Sequence, residues 1–246
     1  MPLIDTVMLA SFSARSKAYL QALAKADLLP RHILIYGDPS QEIKRTPQDN
    51  ENIVFSGIDL PDLTPSLIEI CEINNLNFTL CHAQSINDSE ILDHLTKLSA
   101  KIVIYSGYGG QLVSEKILKS ALYFLHLHSG WLPNYRGSTT IYYSWLKHQA
   151  CGVSAILLDQ EIDTGRIIAR KEFPIPPANI DVDLTYDNAI RANLLVDVLK
   201  RYKSERGFTY IPREKEFPPY YVIHPVLKHI ALLTQNHCPE TEICID

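Results

Sequence analysis

Short apolar runs alternate with longer amphipathic stretches over the first half of the chain. Residues 4–10 and 32–36 are compact hydrophobic runs of strand length, the second closed by Gly37-Asp38-Pro39. Between them, Ala18, Leu20, Leu23 and Ala24 fall at helical spacing, which predicts a helix over 14–25 with Ser13 as its cap. The polar stretch 42–51 reads as a loop. Pro61-Asp62-Leu63-Thr64-Pro65 leads into a helix through Cys71 and Ile73. Strands at 77–81, 101–105 and 123–128 are separated by helices at 87–98 and 114–120. This alternation predicts the α/β class: a doubly wound, mostly parallel sheet.

After His128 the pattern changes. A loop over 129–139 contains Pro133 and Gly137, and 141–148 is apolar, aromatic and helical in spacing. Tyr142, Tyr143 and Trp145 are placed to pack that helix on a core. Two strands, 152–158 and 166–173, flank the acidic turn 159–165. The longest helical pattern covers 183–203, with Ala189, Ala192, Leu195, Val196 and Leu199 on one face and Asp187 and Arg191 spaced to pair. The predicted organisation is one catalytic domain, residues 1–203, and a short helical extension, 204–246, packed on it or partly disordered. His224 and His229 of that extension are expected to pack.

Composition narrows the class. The 246 residues carry 23 Lys plus Arg and 28 Asp plus Glu, a net charge of −5. Nothing in that balance suits sequence-independent nucleic-acid binding. No apolar run approaches the roughly 20 residues that cross a bilayer. The first residues lack the basic region of a secretory signal. Five scattered cysteines, with no Cys-x-x-Cys, read as reduced thiols of a cytoplasmic protein.

In parallel α/β sheets ligands sit beyond the carboxyl ends of the strands. That rule selects four loops: 11–16, 106–112, 126–137 and 159–165. Ser11 and Ser13 in the first can cap the helix or hold an anion. In the second, Gly107, Gly109 and Gly110 around Tyr108 leave room for close backbone approach to a ligand, or simply make a tight turn. His126 and His128, two apart in a strand, share one face. With the carboxylates of 159–163 nearby they are acid–base candidates. Taken alone, the same residues also describe two partly buried structural histidines and a solvated acidic turn. Arg136 reads equally as a ligand contact or a surface arginine beside a turn glycine.

The segment His126-Leu127-His128-Ser129-Gly130-Trp131-Leu132-Pro133-Asn134-Tyr135-Arg136-Gly137 resembles the signature of the folate-dependent formyltransferases. Their pattern is Asn-x-His, Ser-Leu-Leu-Pro, a short gap, then Arg-Gly or Lys-Gly. Gly152-Val153-Ser154 and Asp163-Thr164-Gly165 are similar to the family's second signature, and Tyr108-Gly109-Gly110-Gln111-Leu112 to its pterin loop. The resemblance extends from the N-terminus to about residue 175. It implies a Rossmann-like fold and transfer of a formyl group from 10-formyltetrahydrofolate, a co-substrate, to a primary amine, without a metal. On this reading His128 and Asp163 match the catalytic histidine and aspartate. His126 stands where the family has asparagine, whose amide stabilises the oxyanion. Gly107, Tyr108, Gly109, Gly110, Leu112, Asp159 and Ile162 are expected to contact the folate. Ser11, Ser13, Ser129, Arg136 and Gly137 are expected to contact the acceptor.

A small amine is the expected acceptor, with a nucleotide-linked amino sugar ranked first. The family's tRNA enzymes carry a C-terminal barrel, for which the seventy residues after Pro176 are too few. The glycinamide ribonucleotide enzymes carry a glycine-rich loop that Ser11-Phe12-Ser13-Ala14-Arg15 lacks. Three other readings stay open. One is hydrolysis of formyltetrahydrofolate, although the family's hydrolases place a regulatory domain before the first strand. Another is a metal enzyme using His126, His128 and Asp163 as a 2-His-1-carboxylate set. The last is a folate-binding protein whose catalysis His126 impairs. Oligomeric state is open, a homodimer included.

Overall fold

The computed structural model describes residues 3–43, 53–212, 217–237 and 243–245. Most of the expected 42–51 loop, part of the extension and Cys238 lie outside them. In chain order the elements are β1 (Leu3–Ser11), α1 (Ala14–Lys25), β2 (Pro30–Tyr36), β3 (Ile53–Phe55), β4 (Ile58–Asp59), α2 (Leu67–Ile73), β5 (Phe78–Leu80), α3 (Ser89–Leu98) and β6 (Ile102–Ser106). There follow α4 (Glu115–Leu118), β7 (Tyr123–His128), α5 (Thr140–His148), β8 (Cys151–Leu157), β9 (Ile167–Phe173), α6 (Asp187–Glu205), α7 (Pro225–Leu233) and β10 (Ile243–Ile245).

Seven strands form one sheet in the order β5-β2-β1-β6-β7-β8-β9. The pairs from β5 to β7 are parallel, and β8 and β9 add an antiparallel edge. Strand β1 is apolar without alternation because both its faces are covered. Met8 and Ala10 belong to the core under α1 and α6, whereas Val7 and Leu9 belong to the core under α3. The strand order switches at β1, which pairs with β2 on one side and β6 on the other. The carboxyl ends of β1, β6 and β7 therefore border the crevice where such sheets bind ligands. A small sheet, β10-β3-β4, was not anticipated. Its strands, two or three residues long, are too short for a periodicity to register.

Helix starts follow local chemistry. Ser13 caps α1 by accepting from the Ser16 N–H, and Ser66 with Glu69 forms a reciprocal capping box on α2. Trp145 and Tyr142 of α5 are buried as expected, while Tyr143 is half-buried against Tyr220. The extension is tied to the sheet domain by named bonds. Tyr220 N–H donates to the Arg136 carbonyl at 2.7 Å and its own carbonyl accepts from Ser138 N–H at 3.0 Å. Ile223 N–H donates to Thr139 Oγ1 at 2.8 Å, and Trp145 Nε1 to Thr234 Oγ1 at 2.8 Å. His224 and His229 do not pack. Both are exposed, and His224 Nδ1 accepts from Val226 N–H at the start of α7. Cys71, Cys81 and Cys151 are free, buried thiols. No helix among the described residues is long and apolar enough to cross a membrane.

Candidate active site

The period-two pleat of β7 puts His126 and His128 on one face, and both line a cavity of about 530 Å³ beyond the strand ends. His128 is 4% exposed. Its Nε2 faces the Tyr135 carbonyl at 2.6 Å and Thr140 Oγ1 at 3.2 Å. The Thr140 hydroxyl donates to the Ser129 carbonyl, so both neighbours of Nε2 are acceptors and Nε2 carries a proton. Nδ1 then faces Asp163 Oδ2 at 3.4 Å. Burial pushes the His128 pKa below its ordinary 6.5, and the Asp163 carboxylate opposes that shift.

Asp163 sits at the tip of the β8–β9 connection with φ 54°, a left-handed conformation that aspartate tolerates better than most residues. Two contacts fix it. Its Oδ2 accepts the Gly137 N–H at 2.8 Å, and the preceding carbonyl, of Ile162, is held by Arg136 Nε at 3.0 Å and Nη2 at 2.8 Å. Among the described residues no hydrogen bond reaches Asp163 Oδ1, which is free to serve the cavity. Gly137 has φ 104°, and a Cβ there would run into the Tyr220 backbone. A glycine is what lets the 136–138 segment lie against the extension while its N–H points at Asp163.

His126 is half-buried, and its Nδ1 is shut from solvent without a hydrogen-bond partner. Burial first, then the Arg15 and Arg191 guanidiniums and His128, hold its pKa well below 6.5, so it is a neutral imidazole. Arg15, Arg191, Asp187 and Tyr105 also line the cavity and were not among the site residues expected from the sequence. Arg191 Nε pairs with Asp187 Oδ2 at 2.9 Å, the pair foreseen from spacing, and Nη1 donates to the Leu127 carbonyl at 2.6 Å. Only their arrival at the end of β7 was invisible in the sequence.

The remaining expected contacts divide. Tyr108, Gly109, Gly110, Leu112, Ser129, Gly137, Asp159 and Ile162 line the cavity. Leu112 is 61% exposed at its rim. Four others do not line it. Ser11 is fully buried and its hydroxyl donates to the Ser106 carbonyl, tying β1 to β6. Ser13 is occupied as the α1 cap. Arg136 is buried and donates to the carbonyls of Ile162 and Phe217, as an interior guanidinium must to offset desolvation. Gly107 is required for another reason: a Cβ would collide with the Tyr105 ring.

The nitrogen and oxygen atoms of His126, His128 and Asp163 lie within 4.8 Å of one another, close enough to share an ion. The neighbouring Arg15 and Arg191 guanidiniums oppose a cation there by raising the local positive potential. The arrangement instead offers a neutral imidazole, a histidine–aspartate proton pair and a free carboxylate oxygen. That set can move a proton and meet a developing negative charge.

A family profile described as Formyl transferase matches residues 7–193. The methionyl-tRNA formyltransferase of Chloroflexus aurantiacus is 31% identical over 143 residues, covering 57% of this chain and 46% of that protein. That of Finegoldia magna is 39% identical over 88 residues, covering 35% and 28%. The matched region thus spans about half or less of these curated relatives. Among solved structures, a sugar N-formyltransferase from a Shewanella species superposes with TM-score 0.58 at 15% identity, over 94% of this chain and 88% of that one. Glycinamide ribonucleotide transformylase 1 from Symbiobacterium toebii gives 0.55 at 15% identity, over 82% and 88%. At such identities the superpositions speak to the fold alone.

Proposed function

From the premise that this chain belongs to the formyl transferase family, we propose that it transfers the formyl group of 10-formyltetrahydrofolate to a primary amine of a small acceptor. The observation that carries this reading is the meeting of His128 Nδ1 and Asp163 Oδ2, 3.4 Å apart, in a cavity that His126 also lines. The cavity suits a pterin-sized ligand: its volume falls within the roughly 300–1,000 Å³ of small-molecule sites, and a Cβ at Gly109 or Gly110 would meet open space. When bound, the folate supplies the activated formyl carbonyl that the amine attacks.

The chain's own groups do the rest. Asp163 takes the proton from the attacking amine through its free Oδ1, while the Gly137 N–H holds Oδ2, and passes it to the folate nitrogen as the bond from that nitrogen to the formyl carbon breaks. His126, kept neutral, has one ring N–H to direct at the oxyanion, the task the family's asparagine amide performs. Backbone of 108–112 and of 159–162 borders the pterin. The acceptor is a small amine, and a nucleotide-linked amino sugar is the first to screen. The sugar N-formyltransferase neighbour covers most of both chains and motivates that order. The buried free thiols suit a reducing, cytoplasmic compartment.

The test is calorimetric titration with 5-formyltetrahydrofolate, a reduced folate that does not transfer its group under assay conditions. It is followed by single-turnover deformylation of 10-formyltetrahydrofolate across a panel of amines. Saturable folate binding and amine-dependent turnover are expected. A chain that ignores reduced folates at high concentration is not a formyltransferase, and turnover with water alone assigns hydrolysis instead.

A further inference from the structure

The cavity floor carries a positive charge that formyl transfer as described does not use. Arg15 in the first turn of α1 and Arg191 on α6 both line it beside His126. Arg191 is satisfied by Asp187 and the Leu127 carbonyl, and Asp187 also accepts from the Ser129 hydroxyl. Arg15 differs. Its Nη1 reaches the Gly107 carbonyl at a long 3.4 Å, its Nε is shut from solvent without a partner, and no carboxylate among the described residues pairs with it. A buried guanidinium nitrogen lacking an acceptor is costly and is worth keeping only where something else fills the role. Burial and the neighbouring Arg191 both weigh against its charge, yet a guanidinium does not deprotonate in a protein. The Arg15 guanidinium is a planar donor fork of the kind that grips a carboxylate or phosphate through two oxygens.

We propose that Arg15, backed by Arg191, holds an anionic group of the acceptor, a carboxylate or a phosphate, on the cavity floor beside His126. The word acceptor rests on the formyl-transfer reading, whereas the anion site does not. The consequence is a selectivity rule. Accepted amines carry a negative group close to the nitrogen, and neutral amines of the same size are poor substrates.

Binding of inorganic phosphate and of acetate is measured by calorimetry on the full chain, as wild type, Arg15→Gln and Arg15→Lys, with 5-formyltetrahydrofolate titrated in parallel. One of the two anions is expected to bind wild type. Its affinity falls at least about tenfold in Arg15→Gln, the scale of a lost charge-assisted bidentate contact, and less in Arg15→Lys. The tighter anion names the acceptor's group. Equal affinity in all three proteins, or no binding of either anion to wild type, overturns the proposal. Should Arg15→Gln fail to fold, Arg15→Lys decides, because losing the fork while keeping the charge must still weaken binding. Arg15-dependent anion binding without folate binding would sink formyl transfer and leave the anion site standing. Folate binding with no anion site would do the reverse.

Discussion

Replacing Asp163 by asparagine removes one charge and leaves the surrounding contacts almost intact. The amide oxygen can accept the Gly137 N–H that Oδ2 now accepts at 2.8 Å. The amide nitrogen can donate to His128 Nδ1, which is a lone pair once Nε2 is the protonated nitrogen facing Tyr135 at 2.6 Å. With both bonds remade, folding stability should change by no more than about 1 kcal/mol. Catalysis should not survive as well. The variant has no carboxylate to receive the amine proton, and without Asp163's opposing effect burial holds His128 still lower. A lost acid–base group slows turnover by ~10²–10⁴-fold, equivalent to about 2.7–5.5 kcal/mol on the barrier. Single-turnover deformylation with a responsive amine measures the rate, and urea unfolding of the same sample measures stability. A variant that turns over within about threefold of wild type removes Asp163 from proton transfer. One that loses several kcal/mol of stability shows that the carboxylate is chiefly structural.

Three further outcomes are expected. His126→Asn restores the family's residue and should keep activity within about tenfold of wild type, whereas total loss in steady-state turnover would show that the imidazole has a task no amide performs. His126 is held well below its ordinary 6.5, so the unfolded chain binds more protons than the folded one as pH falls through about 6.5. Stability should therefore drop on acidification, by at most about 1.4 kcal/mol per pH unit for this residue, and less steeply in His126→Asn; identical slopes in urea melts at about pH 7.5 and about pH 5.5 would contradict the burial argument. Gly137→Ala forces a side chain into the Tyr220 backbone at φ 104° and should cost about 1–3 kcal/mol in thermal unfolding, with turnover falling further because the Asp163 anchor moves; an unchanged melting curve would refute the required contact.

Elements with enough residues to show a period were legible in the sequence. The apolar runs of β1 and β7 and the spaced faces of α1 and α6 all appear in the fold. Strands β3, β4 and β10 were not, because two or three residues define no period; the equally short β5 showed only as part of the longer run 77–81. At the site, the alternation of β7 foretold that His126 and His128 share a face. Charge placement was far less legible. The Asp187–Arg191 pair follows from helical spacing, but its reach to the Leu127 carbonyl depends on how α6 packs on the sheet. Arg15 gave no signal, since one cation in a helix's first turn is ordinary until its neighbours are known. Arg136 was ambiguous for the same reason: only the fold shows that its donors meet the carbonyls of Ile162 and Phe217.

The sequence blocks that carry the family resemblance are in physical contact with one another, which explains why they occur together in this chain. Ser154 of the Gly-Val-Ser block donates its hydroxyl to the Gly130 carbonyl at 2.6 Å and accepts the Leu132 N–H at 3.0 Å, so it sets the turn that follows His128. That turn delivers the Tyr135 carbonyl that fixes the His128 tautomer. The next two residues reach across to the Asp-Thr-Gly block, Arg136 holding the Ile162 carbonyl and Gly137 holding Asp163 itself. The Gly-Val-Ser block thus sets the turn behind His128, and that turn in its course positions Asp163. A change in one should register as misplacement of a second, which is why the predicted loss of turnover in Gly137→Ala exceeds what its stability cost alone would produce.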